Sequence, residues 1–223
     1  MTKRTTEAET DKLNIVVLIS GRGSNLRAIT TAIEEGRLAA NIQAVISNKS
    51  DATGLSYAKE HKLNTHALNH KAFADRLAFD QAMIEVIDNY TPDLIVLAGF
   101  MRLLTSNFVN HYIGKLINIH PSLLPAYRGL HTHQRAIEDK ATRHGASIHF
   151  VTPELDNGPI IAQSQVPVLK DDTVEKLTER VLCVEHTLYP EVISWFVNHR
   201  LEMLNNTTAT LDGKVISKPI LVT

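Results

Sequence analysis

The chain is poor in cysteine. Cys183 is the only one in 223 residues, which excludes an intramolecular disulfide and a thiolate metal cluster and makes a reducing compartment the simplest setting. It is also poor in net charge: 23 Lys and Arg stand against 24 Asp and Glu, a formal balance of -1. Neither a basic excess nor a block of like charge is available to neutralise the phosphates of a nucleic acid or an anionic membrane. Long apolar runs are missing as well. The polar first thirteen residues lack the core of a secretory signal, and no later stretch could cross a bilayer. No repeat, low-complexity segment or linker is visible. These absences together predict a cytoplasmic protein without nucleic-acid or membrane partners, either a monomer or a homodimer.

What is present is an ordinary globular composition, 43% hydrophobic and 21% charged, and eleven histidines. At this length roughly 70% of the unfolded surface is buried on folding, so a substantial core is available. Residues 1–13 read as a flexible tail and 14–223 as one domain. Ile15 to Ile19 is a short, continuous apolar run rich in β-branched residues, as in a strand buried on both faces. A helix follows up to Gly36, then a strand over 42–46, a helix over 53–62 and a longer helix over 71–90 with Phe73, Leu77, Ile84 and Ile87 on one face. Leu94 to Ala98 and Leu116 to Ile119 are further strands. This alternation predicts an α/β fold, a doubly wound and mostly parallel sheet. The later part differs. Strands over 147–151 and 160–168 flank an Asp156-Asn157-Gly158-Pro159 loop, Asp172 caps a long helix that Pro190 should end or kink, and 207–221 forms a hairpin about Asp212-Gly213.

Three places carry possible chemistry. Gly21-Arg22-Gly23-Ser24-Asn25 joins a strand to a helix, where backbone N–H groups and the helix terminus can hold an anion. Leu26 stands where a dinucleotide fingerprint needs its third glycine, and no Lys-Ser/Thr pair makes a P-loop; a tight turn capped by Ser24 or Asn25 fits the same residues. Asn118 and His120 leave one face of a strand at its C-terminal end, where open α/β sheets bind ligands. An amide beside an imidazole can hold an oxyanion and move a proton; a hydrogen-bonded pair ending the strand is the plainer alternative. Asp156 is either turn chemistry or a carboxylate that meets His120 and orders a water. His131 and His133 share a strand-like face, but no His-Glu-x-x-His helix or cysteine partner supports a metal, and none is expected. Cys183 reads as a buried, inert thiol.

Taken together, the segments 17–26, 118–125, 129–133, 145–151 and 155–161 resemble the folate-dependent phosphoribosylglycinamide formyltransferases, over residues from Asn14 to about Val197. The resemblance implies a Rossmann-like formyltransferase fold with a C-terminal part of antiparallel strands and a long helix. It implies formyl transfer from 10-formyltetrahydrofolate, as co-substrate, to the amine of glycinamide ribonucleotide in purine synthesis. By that likeness Asn118, His120 and Asp156 would be catalytic. Gly23, Ser24, Asn25 and Glu185 would hold the ribonucleotide. Arg76, Met101, Arg102, Leu103 and Leu104, with Asn118 and Asp156, would bind the folate. The N-terminal half would carry the phosphate site, and the C-terminal half the folate site and catalytic loop.

Related formyl-folate enzymes give different expectations. A methionyl-tRNA formyltransferase should carry a C-terminal nucleic-acid-binding domain, and a formyltetrahydrofolate hydrolase an N-terminal regulatory domain without the Gly129-Leu130-His131-Thr132-His133 run. A noncatalytic nucleotide-binding module would use the glycine loop alone, with no reason to bring Asn118, His120 and Asp156 together.

Overall fold

In a computed structural model describing residues 12–223, apolar strands become the middle of an eight-stranded sheet. The proposed tail lies outside the described residues except for Lys12 and Leu13. Strands β1 (Leu13–Ile19), β2 (Ala40–Ser47), β3 (Thr65–Ala67), β4 (Leu94–Leu97) and β5 (Leu116–His120) pair in parallel. Antiparallel β6 (Arg143–Phe150) and β7 (Ile160–Pro167) follow on the β5 side, and the short β11 (Ile220–Leu221) runs parallel beside β7. The spatial order β11-β7-β6-β5-β4-β1-β2-β3 reverses direction between β1 and β4, which is where a doubly wound sheet opens a crevice at its C-terminal edge.

Period-two alternation divides the core between the two faces. Ile15, Val17 and Ile19, with Leu94, Val96, Ile117 and Ile119, face one layer. That layer contains α1 (Ser24–Glu34), α2 (Thr53–Glu60) and the long α6 (Val174–Val197), packed through Leu26, Ile29, Leu177, Val181 and Leu188. Val16, Leu18, Ile95, Leu97 and Leu116 face the opposite layer, built from α3 (Arg76–Asp88) and α4 (Ser106–His111) through Phe79, Met83, Ile87 and Phe108. Each such side chain contributes about 2 kcal/mol by leaving water. The short α5 (Thr132–Glu138) precedes β6, and β8 (Leu201–Asn205), β9 (Thr208–Leu211) and β10 (Lys214–Val215) form a separate antiparallel sheet.

Several local expectations are corrected. The helix expected over 71–90 begins only at Arg76, because Asp75 accepts from the Ala78 N–H at 2.8 Å and caps it there, after a 3₁₀ turn at His70–Ala72. Its buried face is therefore Phe79, Met83, Ile84 and Ile87, and Leu77 is exposed. Thr173, not Asp172, caps α6. Asp172 is held away by Arg180 at 2.7 and 2.8 Å, and that guanidinium holds its carboxyl low, to about 2. Pro190 does not end α6, which continues to Val197; its neighbour Tyr189 is anchored by donating to the Leu97 carbonyl at 2.9 Å. Cys183 is exposed on α6, not buried, since the apolar stripe turns past it. His131 and His133 do not share a strand face: His131 precedes α5 in the left-handed conformation and His133 lies in its first turn. Only 208–215 of the expected terminal hairpin is a hairpin; β11 returns to the main sheet. Among the described residues no helix is long and apolar enough to cross a membrane.

Candidate active site

The C-terminal ends of β4 and β5 form a partition between two cavities. Leu97 and Asn118 line the first, of about 360 Å³, on the α3/α4 side. Their chain neighbours Ala98 and Ile119 line the second, of about 260 Å³, on the α1/α6 side. Strand alternation thus gives each cavity its own set of side chains from the same two strands.

The second cavity is built on the loop after β1. Gly23 adopts φ +71° at the N-terminus of α1, a left-handed conformation suited to glycine, and a Cβ there would lie 3.1 Å from the Gly54 Cα. No side chain caps α1 and its first turn holds no acid, so its leading N–H groups and partial positive charge remain for an anion. The alternative of Ser24 or Asn25 as cap is thereby removed. Asn25 instead donates to Glu185 Oε2 at 2.7 Å. Glu185, on α6, is 5% exposed; burial pushes its carboxyl up to about 7, against the opposing hydrogen bond from Asn25. Gly23, Ser24, Asn25 and Glu185 all line this cavity.

The first cavity takes Arg76, Arg102, Leu103 and Leu104 on one side and the 152–156 loop on the other, with Asn118 and Asp156. Met101, expected with that group, lines the α1-side cavity instead and is 66% exposed. Its backbone N–H donates to Ser20 Oγ at 2.7 Å, and Ser20 donates in turn to Asn48 Oδ1 at 2.6 Å. This contact, which sequence reading missed, ties the glycine loop to the segment that leads into the other cavity.

Asn118, His120 and Asp156 do converge at the partition. Asp156 sits at φ +46°, a left-handed position that Asp and Asn enter more readily than most residues. Gly158 closes the same loop where a Cβ would fall 1.9 Å from the Phe150 carbonyl oxygen. The loop thereby aims Asp156 Oδ2 at the Gly129 N–H, 2.9 Å away, and at His120 Nδ1, 3.5 Å away. The side chains of His120 and Asp156 are only 7% and 8% exposed. His120 Nε2 donates to the Tyr127 carbonyl at 2.9 Å, which fixes the ring and leaves Nδ1 as the working nitrogen. Nδ1 faces the Asp156 carboxylate oxygen directly. The 3.5 Å separation leaves room for a substrate oxygen to compete for a proton there.

A fourth member was not foreseen as part of this cluster. His149 lies directly across from Asn118 in the antiparallel β5–β6 register. Burial, its largest influence, lowers its pKa, so the ring is neutral. Its Nδ1 donates to the Phe150 carbonyl at 2.8 Å and its Nε2 accepts from Asn118 Nδ2 at 3.2 Å. One N–H of the Asn118 amide is thus used to orient it, and the other remains. His149 Nε2 also lies 3.8 Å from Asp156 Oδ1. Among the described residues no group of three or more His, Cys, Asp or Glu could hold a metal.

Known proteins resemble the chain over most of its length. The sequence profile of the family described as Formyl transferase matches residues 13–193. Phosphoribosylglycinamide formyltransferase of Escherichia coli is 53% identical over 202 residues, 91% of this chain and 95% of that one. A solved phosphoribosylglycinamide formyltransferase from Coxiella burnetii superposes with a TM-score of 0.91 at 50% identity, over 95% of this chain and 100% of that one. The human trifunctional purine biosynthetic protein adenosine-3 is 40% identical over 198 residues, 89% of this chain but 20% of its own length. With the profile matched over most of its length and such relatives covered almost end to end, the chain belongs to the formyl transferase family.

Proposed function

We propose that the protein transfers the formyl group of 10-formyltetrahydrofolate to the amine of glycinamide ribonucleotide, giving formylglycinamide ribonucleotide and tetrahydrofolate in cytoplasmic purine synthesis. The observation that carries this reading is the convergence of Asn118, His120 and Asp156 on a partition with a separate cavity on either side. The names and coverage of the relatives support the same substrates. In this assignment the chain from residue 14 acts as one domain. The glycine loop, through Gly23, Ser24 and Asn25, holds the ribonucleotide phosphate, and Glu185 meets the same substrate. Arg76, Arg102, Leu103 and Leu104 embrace the folate, with Met101 at the lip between the two.

The chemistry follows from the groups present. The neutral amine nitrogen attacks the formyl carbon, a new C–N bond forms and charge gathers on the formyl oxygen. The free N–H of Asn118 and a proton on His120 Nδ1 stabilise that charge; losing one such donor typically costs about 3 kcal/mol. Asp156 keeps the imidazole charged and turned. The bond from carbon to the folate nitrogen then breaks, and the proton given up by the amine reaches that nitrogen, through a water held by Asp156. No covalent enzyme intermediate is required.

The test is release of tetrahydrofolate from 10-formyltetrahydrofolate by purified protein. It should depend on added glycinamide ribonucleotide. Release without the amine would instead mark a hydrolase, and no turnover with both present would mark a binding module.

A further inference from the structure

The turn that follows His120 has few backbone partners of its own. Pro121 and Pro125 supply no N–H, and the segment 121–127 joins no strand. Its carbonyls are taken by side chains instead. Ser147 Oγ donates to the Ser122 carbonyl at 2.6 Å, and Gln163 Nε2 to that of Leu124 at 2.8 Å. Ser122 Oγ donates to the Ala126 carbonyl at 2.6 Å, and the Tyr127 carbonyl accepts from His120 Nε2 at 2.9 Å. Tyr127 itself sits at φ +55°, a left-handed conformation that an aromatic residue keeps only where its surroundings hold it.

Two neighbours across the sheet do the holding. Ser147 on β6 lies opposite His120 in the strand register, and Gln163 on β7 lies opposite Ser147. Both are buried. The Ser147 hydroxyl gives its one proton to Ser122. It accepts from the Leu124 N–H at 3.0 Å and from Gln163 Nε2 at 2.9 Å, which fills both lone pairs. These partners leave a single orientation for the Gln163 amide. Turned over, its oxygen would meet the Leu124 carbonyl, acceptor against acceptor, and neither would receive a proton. Gln163 lines neither cavity, and no step of the proposed reaction uses it.

We infer that Gln163 is a positioning residue: by holding the 122–127 turn through Leu124 and Ser147, it fixes the Tyr127 carbonyl and so the direction of His120 Nδ1. The inference rests on the assignment of His120 and Asp156 as the proton device. A shift of the turn moves the carbonyl that anchors Nε2, and the far side of the ring then swings away from an oxygen 3.5 Å distant. Gln163 touches no substrate; it acts only through His120.

Steady-state turnover of the full chain tests this, with melting curves to show that each variant is folded at the assay temperature. Gln163→Met keeps the length of the side chain and removes both donors. It is expected to lower kcat about tenfold, the scale of a small misalignment of a catalytic group. Both KM values should stay within a few-fold of the wild type. Made on top of Asp156→Asn and assayed at higher enzyme concentration, the same change should cost less than about twofold, because the pair it aligns is already broken. Ser164→Ala is the control from the next position of β7. It removes the bond from Ser164 Oγ to the Val222 carbonyl at 2.6 Å and should keep wild-type kcat even where it melts lower. An inactive wild type would sink the formyl-transfer reading itself. With an active wild type, this inference alone is overturned if Gln163→Met keeps its kcat or raises a KM instead. It is equally overturned if the loss is as large in the Asp156→Asn background, or if Ser164→Ala loses kcat to the same extent. If Gln163→Met does not fold, Ser147→Ala, which breaks the other half of the same hold, goes through the same cycle.

Discussion

Asp156→Asn is the most direct probe of the proposed mechanism, because it removes one charge and little else. Asn enters the left-handed conformation found at φ +46° about as readily as Asp, and its side-chain oxygen can still accept from the Gly129 N–H. What disappears is the carboxylate 3.5 Å from His120 Nδ1, between side chains that are 7% and 8% exposed. At an effective dielectric near 20, unit charges at that separation interact by about 5 kcal/mol. Part of this is offset by desolvation, so about 4 kcal/mol is a reasonable loss of transition-state stabilisation, a fall in kcat of about a thousandfold. The assay is ribonucleotide-dependent tetrahydrofolate release, with thermal melting as the control for folding. Both KM values should stay within a few-fold of the wild type, since Asp156 acts on the charge that develops during reaction. A folded variant that retains more than a tenth of wild-type kcat would refute the His120–Asp156 pairing as the proton device.

Three other outcomes can be checked independently. Glu185 has its folded pKa raised to about 7 by burial, so its contribution to stability is fully present below about 4.5 and is lost as pH rises through 7. Glu185→Gln should therefore melt higher than wild type at pH 8, by about 3 kcal/mol in stability, with the advantage gone near pH 4.5; a pH-independent offset would contradict the burial argument. Gly158→Ala must push a Cβ away from the Phe150 carbonyl, which should cost roughly 1–3 kcal/mol and lower turnover by displacing Asp156, and an unchanged melting curve with full activity would rule that out. Exhaustive chelation followed by assay in metal-free buffer should leave turnover unchanged, because the donors for a metal are not assembled among the described residues; activity restored only by added zinc would reverse that expectation.

The parts of the fold visible in sequence are those set by short-range pattern. Continuous apolar runs such as Ile15 to Ile19 can be satisfied only with both faces covered, and that predicts the parallel middle of the sheet. Asn118 and His120 were placed on one face by the period of a strand. Asp156 was a candidate, but its contact with His120 depends on a loop that reaches across from another strand. The contact of His149 with Asn118 is not legible in the sequence because it depends on the β5–β6 register, which no local pattern encodes. The contact of Gln163 with Ser147 is hidden for the same reason, in the β6–β7 register. Asp172 illustrates the opposite failure: its spacing to Glu175 fits a capping box, yet Arg180 two turns later outcompetes the helix for its carboxylate. Met101 follows Phe100 directly, but the chain turns between them, so that Phe100 lines one cavity and Met101 the other.

The same alternation that divides the core explains how a two-substrate reaction can be run at a single point. Had both ligands entered one cavity, a loop would have had to separate them, and loops hold position less well than strands. Here the separator is the pair β4–β5, whose side chains are fixed to opposite faces, so that Asn118 and Ile119, adjacent in sequence, look into different cavities. The groups that handle charge and protons then belong at the strand ends, where the partition stops and a formyl carbon held on one side can be reached from the other. Their burial has a further consequence. Water competes with the amine for the formyl carbon, and His120 and Asp156 are too enclosed to serve bulk solvent. On the proposed assignment, transfer is favoured over hydrolysis when the amine arrives on the glycine-loop side of the strand ends while the folate is in place. The Met101–Ser20–Asn48 chain ties the start of the glycine loop to the segment after β4, so the loop and that segment hold their spacing as one unit.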